Sequence, residues 1–346
     1  MKKHTALRTR SGNLSFLVDR RAVRVCLLLA CLSAALFLAG LSLGSTAIPP
    51  WIVLEHLIGK GGEEHAFTIG TLRLPRMVLS MLAGVALGVS GLILQSMVRN
   101  PLASPDIIGV TGGASVAAVW FITYYSDVSL DWLPFVAIAG AGLVSLLIYL
   151  LAWKKGVTPM RLVLIGIGVQ ALMSGLVTMM IVLSPTYSTS EAYIWLTGSV
   201  YGANWTHVAS MLPWVLVFVP LSLALSRNVD VQVLGDDPAT GLGSKVQVQR
   251  FVLLCVSVAL AGSAVAFAGG IGFVGLIAPH IARKLIGRSF AALVPSTAII
   301  GGTIVFVADV VARTAFLPSD LPVGVFVSGI GAPFFIYLLY RNRHQS

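Results

Sequence analysis

The sequence has 346 residues, of which 57% are hydrophobic and only 10% are charged. A typical soluble domain carries about 25% charged residues, so this composition excludes a soluble globular protein. A membrane-spanning helix needs roughly 20 apolar residues, and the hydrophobic content is enough for about ten such helices. The net charge of +10 does not indicate a nucleic-acid partner, because the basic residues lie mainly in a tail and in short loops between apolar stretches.

Apolar stretches separated by polar turns predict a polytopic, all-α membrane protein with about ten spans in one domain, residues 23–340. In chain order the predicted spans are 23–44, 75–98, 106–125, 133–152, 161–183, 207–226, 250–268, 272–287, 291–312 and 322–340. The first is longer than the apolar region of a signal peptide and is interpreted as an uncleaved helix. Residues 50–58 predict a short helix at the membrane interface.

The positions of the basic residues orient these spans. If the N-terminus is cytoplasmic, most of the 23 Lys and Arg residues fall on the cytoplasmic side. The exceptions are Lys60, Arg73, Arg76 and Arg313. Positive charge concentrates in the cytoplasmic loops of membrane proteins, so both termini are predicted to be cytoplasmic. Residues 1–22 form a basic tail, predicted to be disordered over 1–20, and residues 341–346 form a second tail.

No pattern for catalysis or for a bound cofactor occurs in the sequence. The Gly-rich segment 241–245 lacks the spacing of a P-loop, so any ATP hydrolysis requires a separate subunit. The three cysteines and six histidines show no metal-ligand spacing, and no metal site is predicted. We therefore expect a protein that is not an enzyme and that binds no cofactor or metal itself.

Asp309 is the main acidic residue inside a predicted span. An ion-coupled secondary transporter would use such a carboxylate, which keeps that class open as an alternative. Asp309 and Arg313 are four residues apart on one helix, however, and a structural ion pair is the simpler interpretation. A non-transporting membrane scaffold is a second alternative, although Pro279 and Pro333 interrupt predicted spans, which favours a transporter.

Several short sequence blocks follow one another in a distinctive order along the chain. They are Leu72–Arg76; Gly84, Gly88, Gly91 and Gln95 with Arg99–Ala103; Pro105, Gly109, Gly112 and Gly113; Gly270–His280 with Arg283; Ala308–Asp309 with Ala312–Arg313; and Leu321–Gly324 with Gly329, Gly331, Pro333 and Phe335. In this order and spacing the blocks closely resemble the FecCD-type permease family of bacterial ABC importers for ferric siderophores, haem and cobalamin. The resemblance covers about residues 70–340.

The resemblance implies a set of partners in the bacterial cell membrane. The permease would pair with a second copy or with a similar permease chain, and two ATPase subunits would use ATP on the cytoplasmic face. An extracytoplasmic binding protein would deliver the substrate. In the family, arginines of the first block and of the Ala-Arg block meet acidic residues of that protein, and the matching residues here are Arg73, Arg76 and Arg313.

Further positions match parts of the family pattern. Residues 233–247 resemble the two short coupling helices that contact the ATPase, with matching residues Leu234, Gly235, Asp236, Asp237, Ala239, Leu242 and Gly243. Leu234, Ala239 and Leu242 are expected to form the apolar contact face. The loop Thr158-Pro159-Met160 lies where the family places a cytoplasmic gate, although Pro159 and Met160 depart from the small hydroxyl residues of relatives.

Two further expectations concern the role of the glycines in the second predicted span and the identity of the cargo. Gly84, Gly88 and Gly91 are predicted to serve close helix packing. The resemblance implies a permease that moves iron(III)–siderophore complexes by alternating access, since this cargo is the commonest in the family. Haem and cobalamin stay open as alternatives, because no residue in the sequence separates them.

Overall fold

The computed structural model describes residues 4–8, 15–125, 128–317 and 319–342. In chain order its helices are α1 Arg20–Ser42, α2 Pro50–Leu57, α3 Glu63–Phe67, α4 Leu74–Val98, α5 Val110–Tyr124, α6 Leu133–Ala152, α7 Pro159–Leu183, α8 Thr186–Thr197, α9 Trp205–Ala224, α10 Ser226–Val233, α11 Asp236–Gly241, α12 Val246–Ala268, α13 Val274–Ile286, α14 Phe290–Thr314 and α15 Val323–Asn342. A π-helical turn, Thr68–Arg73, leads into α4, and 3-10 turns cover Pro105–Ile108 and Leu130–Trp132.

Within the described residues, 7 helical segments are long and apolar enough to cross a membrane. They are Arg20–Ser42, Glu63–Val98, Leu130–Ala152, Pro159–Leu183, Trp205–Ala224, Val246–Ala268 and Phe290–Thr314. Each overlaps one predicted span, although Glu63–Val98 begins well before the predicted span 75–98. The predicted spans 106–125, 272–287 and 322–340 fall on α5, α13 and α15, which lie outside this set, so the count of ten and the cytoplasmic placement of both termini stay predictions.

Local backbone geometry shortens two of the predicted spans. Gly109, with a φ of +73°, ends the turn Pro105–Ile108 and begins α5. The next α-helix after α12 begins only at Val274, because Phe273 has a φ of +64° and interrupts the helix. A large side chain is uncommon in this left-handed region and marks a tight connection. The block around residue 270 is therefore a non-helical link between α12 and α13.

Helix α4 forms the centre of the fold, and α12 and α14 both pack against it. In its most apolar stretch 78% of the residues are buried, compared with 22% in α7. Leu92 of α4, Leu260 of α12 and Val305 of α14 are among the fully buried core residues. Leu164 and Val182 of α7 are exposed by contrast, and large exposed apolar surfaces of this kind are typical of proteins that contact lipid.

Glycines allow α4 to approach its neighbours at backbone distance. A Cβ added at Gly84 would lie 2.2 Å from the carbonyl oxygen of Gly301, and one at Gly91 would lie 2.1 Å from that of Gly275. At Gly88 the nearest atom would be the carbonyl oxygen of Thr297, at 3.1 Å. The structure thus places all three glycines that the sequence assigns to packing at crossings of α4 with α13 or α14, where a larger residue would push the helices apart.

Two segments differ from the sequence prediction. Strands β1 His4–Arg8 and β2 Ser15–Asp19 pair antiparallel, so the disorder predicted for residues 1–20 is wrong for these ten positions; Ser15–Asp19 contains an apolar run with high strand propensity. Helix α8 lies between α7 and α9 in a segment for which no helix is predicted, because its Ser, Thr and Tyr residues give no apolar signal. Residues 343–346 of the predicted second tail lie outside the described residues.

Candidate functional site

Arg76, in the first turn of α4, is held by two carboxylates. Its Nε and Nη2 donate to Oδ1 of Asp309 on α14 at 3.0 and 2.7 Å. Its Nη1 and Nη2 donate to Asp320, in the loop before α15, at 2.5 and 2.8 Å. The Asp309 side chain is fully buried, whereas that of Asp320 is 27% exposed. Arg76 therefore has one buried partner and one partner that water can reach.

Arg313 lies one helical turn beyond Asp309 on α14. Its Nη2 donates to the carbonyl oxygen of Gly40 at 2.6 Å, and its Nε is 3.9 Å from Asp309 Oδ2. The sequence predicts a pair between Asp309 and Arg313, and the structure contains it. The closer contact of Asp309 is nevertheless with Arg76 on a different helix, because that guanidinium approaches with two of its N–H groups, the strong geometry for an Arg–carboxylate pair.

The guanidinium of Arg73 is buried against backbone. Nη1 donates to the carbonyl oxygen of Leu41 at 2.8 Å, and Nη2 donates to that of Thr46 at 2.6 Å. Helix α1 ends at Ser42, so its last carbonyls lack partners within the helix and are free to accept these bonds. As placed, Arg73 fastens the end of α1 and the following loop, and it does not present its charge to an outside partner.

A cavity of about 590 Å³ opens beside these arginines. Arg73, Arg76, Arg313, Asp320 and Tyr201 are among its lining residues, and the Tyr201 ring lies 6.0 Å from the guanidinium carbon of Arg76. The lining contains three arginines and one carboxylate, that of Asp320, so it carries an excess of positive charge. An arrangement of this kind can accept acidic groups from outside.

A second ionic cluster lies at the opposite end of α4. Arg99, whose left-handed backbone (φ +58°) ends the helix, donates from Nη2 to Asp236 Oδ1 at 2.7 Å. Arg250 on α12 donates from Nη2 to the two oxygens of Asp236 at 2.9 and 3.0 Å. The side chain of Arg250 is 2% exposed, and that of Arg99 is 34% exposed. Asp236 is thus held between one buried and one accessible arginine.

The predicted coupling segment, residues 233–247, contains one short helix, α11, and the preceding short helix α10 ends at Val233, where the segment begins. Gly235 connects them with a φ of +117°, and Pro238 is accommodated in the first turn of α11. Leu234 and Leu242 are 62% and 68% exposed, whereas Ala239 is fully buried. The exposed apolar face therefore comprises the two leucines, and Ala239 anchors α11 to the rest of the fold.

The other coupling and gate positions lie at the same end of the molecule. Asp237 and Gly243 are exposed near the start and the end of α11. Thr158 precedes α7 with extended backbone, and Pro159 begins that helix, where a proline is well tolerated. Met160 is 69% exposed. Among the described residues, no three His, Cys, Asp or Glu side chains group closely enough to hold a metal ion.

Sequence reasoning missed Asp320, Arg250 and Gln247 as site residues. The carboxylate of Asp320 precedes the Leu-Pro-Val-Gly block and faces Arg76 from a neighbouring loop. Gln247 and Arg250 both lie in α12 and both contact Val157, the residue before Thr158. A charged residue near the end of a predicted span gives a weak signal, and the partner that it meets becomes visible only in the folded chain.

The long apolar helices and the exposed apolar surface define a multi-pass membrane protein. The chain belongs to the FecCD transport family, which matches residues 30–341. It is 48% identical to the "Probable siderophore transport system permease protein YfhA" of Bacillus subtilis, over 94% of this chain and 97% of that one. It is also 48% identical to the achromobactin transport system permease protein CbrC of Dickeya dadantii, over 97% and 96%.

A solved structure shows the same architecture. An inward-facing conformation assigned to a metal-chelate type ABC transporter superposes with a TM-score of 0.84 at 29% sequence identity. The match covers 92% of this chain and 99% of that one. The similarity therefore includes nearly the whole of both chains.

Proposed function

We propose that this chain is the permease subunit of an ATP-binding-cassette importer that moves iron(III)–siderophore complexes into the cytoplasm. The observation that carries the proposal is 48% identity, over nearly full length, to two permeases that are named for siderophore and achromobactin transport. The blocks that suggested the family extend through α4, α13, α14 and α15, so the similarity includes the buried centre of the fold.

In this proposal residues 23–340 form one permease domain with ten spans and with both termini in the cytoplasm. The chain pairs with a second copy or with a similar permease, and two ATPase subunits hydrolyse ATP on its cytoplasmic face. A binding protein delivers the cargo outside. The match to an ABC transporter of metal-chelate type supports this assembly.

The ATPase subunits would dock on α10 and α11. Leu234 and Leu242 are the exposed apolar residues that a partner would cover. Movement of α11 would then open or close the inner loop at Thr158, Pro159 and Met160, so that the cavity faces one side of the membrane at a time. Because the chain lacks a P-loop, this movement would depend on ATP bound to its partners.

The binding protein would dock beside Arg76 and Arg313. An incoming carboxylate can replace Asp320, which is partly exposed, while the buried contact between Arg76 and Asp309 stays in place. Arg73 would contribute indirectly, because its guanidinium holds the loop that follows α1. Exchange of one carboxylate for another at a single arginine costs little, since the arginine is never left unpaired.

An ion-coupled mechanism is disfavoured by the surroundings of Asp309. A carboxylate that binds and releases a proton or a sodium ion must lose its partners during the cycle. Both oxygens of Asp309 accept hydrogen bonds from Arg76, and Arg313 lies 3.9 Å away. These contacts fit a structural role for Asp309.

The test is uptake of radiolabelled iron–siderophore in cells that lack the chain, with haem and cobalamin uptake measured beside it. We expect only iron uptake to fail, and the wild-type chain to restore it. Leu234→Asp with Leu242→Asp should not restore uptake, because the docking face becomes charged. Val128→Asp is the control, since Val128 is also exposed but lies outside the coupling segment and outside the seven long apolar helical segments. Normal iron uptake in the deleted cells would contradict the proposal, and loss of haem or cobalamin uptake alone would reassign the cargo.

A further inference from the structure

Arg250 contacts both of the cytoplasmic segments assigned to coupling and gating. Its Nη2 donates to Asp236, the first residue of α11. Its Nη1 donates to the carbonyl oxygen of Val157, which precedes Thr158 in the inner loop. One guanidinium therefore bridges two segments that are far apart in the sequence.

Gln247, one turn earlier on α12, strengthens the contact with the inner loop. Its side-chain oxygen accepts from the backbone N–H of Val157 at 2.9 Å, and its Nε2 donates to the carbonyl oxygen of Val157 at 3.3 Å. The side chain of Val157 is fully buried. The peptide groups of this residue are thus fixed to α12, and the inner loop cannot shift there without α12 or its side chains moving too.

Burial makes the link between Arg250 and Asp236 stiff. The Arg250 side chain is 2% exposed, and its Nε has no hydrogen-bond partner among the described residues. Displacement of Asp236 away from it would leave a buried cation without a counter-charge, which is strongly disfavoured. Arg99, the other partner of Asp236, is 34% exposed and can be solvated when it releases the carboxylate. When α11 moves, Arg250 is therefore the partner that must follow.

We propose that Arg250 is the positioning residue that transmits movement of α11 to the inner loop at residues 156–160. The inference rests on the proposed function, because ATP displaces α11 only if an ATPase subunit docks there. When α11 is displaced, Asp236, Arg250 and Val157 move as one unit, and Thr158 shifts with them. Arginine suits this role because its planar fork holds two partners at once, which the single ammonium of lysine does not do in the same geometry.

The experiment follows the accessibility of the inner loop in the purified complex of the permease with its ATPase subunits. Thr158→Cys is introduced after Cys26, Cys31 and Cys255 are replaced by serine, and its rate of modification by a maleimide is measured with and without ATP and vanadate. ATP hydrolysis is measured on the same samples. Arg250→Gln breaks the bridge. Arg161→Gln is the matched control, since Arg161 also donates to carbonyls of this loop, at residues 152, 154 and 156, without contacting Asp236.

In the parent protein nucleotide should change the labelling rate of Thr158→Cys. Arg250→Gln should keep ATP hydrolysis but reduce that nucleotide-dependent change by about tenfold, within the range of coupling between two sites. Arg250→Lys should give an intermediate value, and Arg161→Gln should keep the full change. If Arg250→Gln does not assemble, Asp236→Asn provides the same test, because it breaks the bridge at its more exposed end.

The possible failures are distinguishable. A full nucleotide response in Arg250→Gln or in Asp236→Asn would overturn the role of Arg250 and leave the importer function intact. Equal loss of the response in Arg161→Gln would also overturn it, since any disturbance of the loop would then suffice. Absence of a nucleotide response in the parent protein, with no ATP hydrolysis by the complex, would overturn the proposed function and this inference together.

Discussion

The two ends of α4 carry ionic clusters of opposite design. At the N-terminal end, which the proposed topology places outside, one arginine, Arg76, is held by a buried carboxylate, Asp309, and by the more accessible Asp320. At the C-terminal end, which the proposed topology places inside, one carboxylate, Asp236, is held by the buried Arg250 and by an accessible arginine. The buried partner fixes each cluster to the fold. The accessible partner is the one that a group of another protein can replace. Its charge predicts the charge of that group: acidic at the N-terminal end of α4 and basic at the C-terminal end.

The largest expected effect comes from breaking the buried half of the outer cluster. Arg76→Gln leaves the fully buried Asp309 with only Arg313, whose Nε is 3.9 Å away. Removal of one partner from a buried ion pair costs about 3–5 kcal/mol. We expect a large fall in thermal stability of the purified protein, measured by fluorescence-detected size exclusion. A change as small as that of an exposed substitution would show that the buried pair is not structurally important.

The second largest effect on stability is expected from a substitution that disturbs the close packing of α4. Gly91→Ala would place a methyl group 2.1 Å from the carbonyl oxygen of Gly275. Overpacking of this kind costs about 1–3 kcal/mol. Gly175→Ala on α7 is the matched control, because no atom lies within 4 Å of the added methyl group. Equal melting temperatures for the two variants would contradict the packing role.

Asp320→Asn tests the accessible half of the outer cluster. The side chain is 27% exposed, so its loss should change stability by about 0–1 kcal/mol. Because Arg76 no longer has this competing carboxylate, the binding protein should dock more tightly, and surface plasmon resonance would measure the change. Weaker docking would show instead that Asp320 itself belongs to the docking surface.

The smallest effect is expected at the start of α14. Asp230 Oδ1 accepts from the backbone N–H of Phe290 at 3.2 Å, where the preceding Ser289 supplies no side-chain bond. Asp230→Asn keeps an acceptor but removes a negative charge from a helix N-terminus, at a cost of about 0.3–1 kcal/mol. We expect a small decrease in melting temperature, and this decrease should become smaller in high salt, which screens the interaction. A loss that grows with salt would contradict this electrostatic account.

Hydropathy was sufficient to locate the long helices, because each contains a nearly continuous run of apolar residues, whether that run is buried in the fold or exposed on its surface. It failed at α8, where Ser, Thr and Tyr residues form a helix without an apolar run, and at α13, which Phe273 shortens. These differences depend on tertiary contacts and on local backbone geometry, which a window of hydropathy does not contain.

The charged residues could be found in the sequence, but their partners could not. The pair Asp309–Arg313 was predictable from helical spacing, whereas the stronger contact of Asp309 with Arg76 joins two helices that are distant in the chain. Burial of Arg73 likewise depends on carbonyls left free at the end of α1. The resemblance to a family implies a docking role for Arg73, Arg76 and Arg313, and the structure adds that all three already have internal partners.

The most direct test of the central claim is ATP-dependent import into liposomes that contain the permease, its ATPase subunits and, outside, the binding protein. The account predicts that a radiolabelled iron(III)–siderophore accumulates only with ATP on the ATPase side, and that Leu234→Asp with Leu242→Asp abolishes accumulation. Accumulation that continues without ATP and follows a proton or sodium gradient would contradict it.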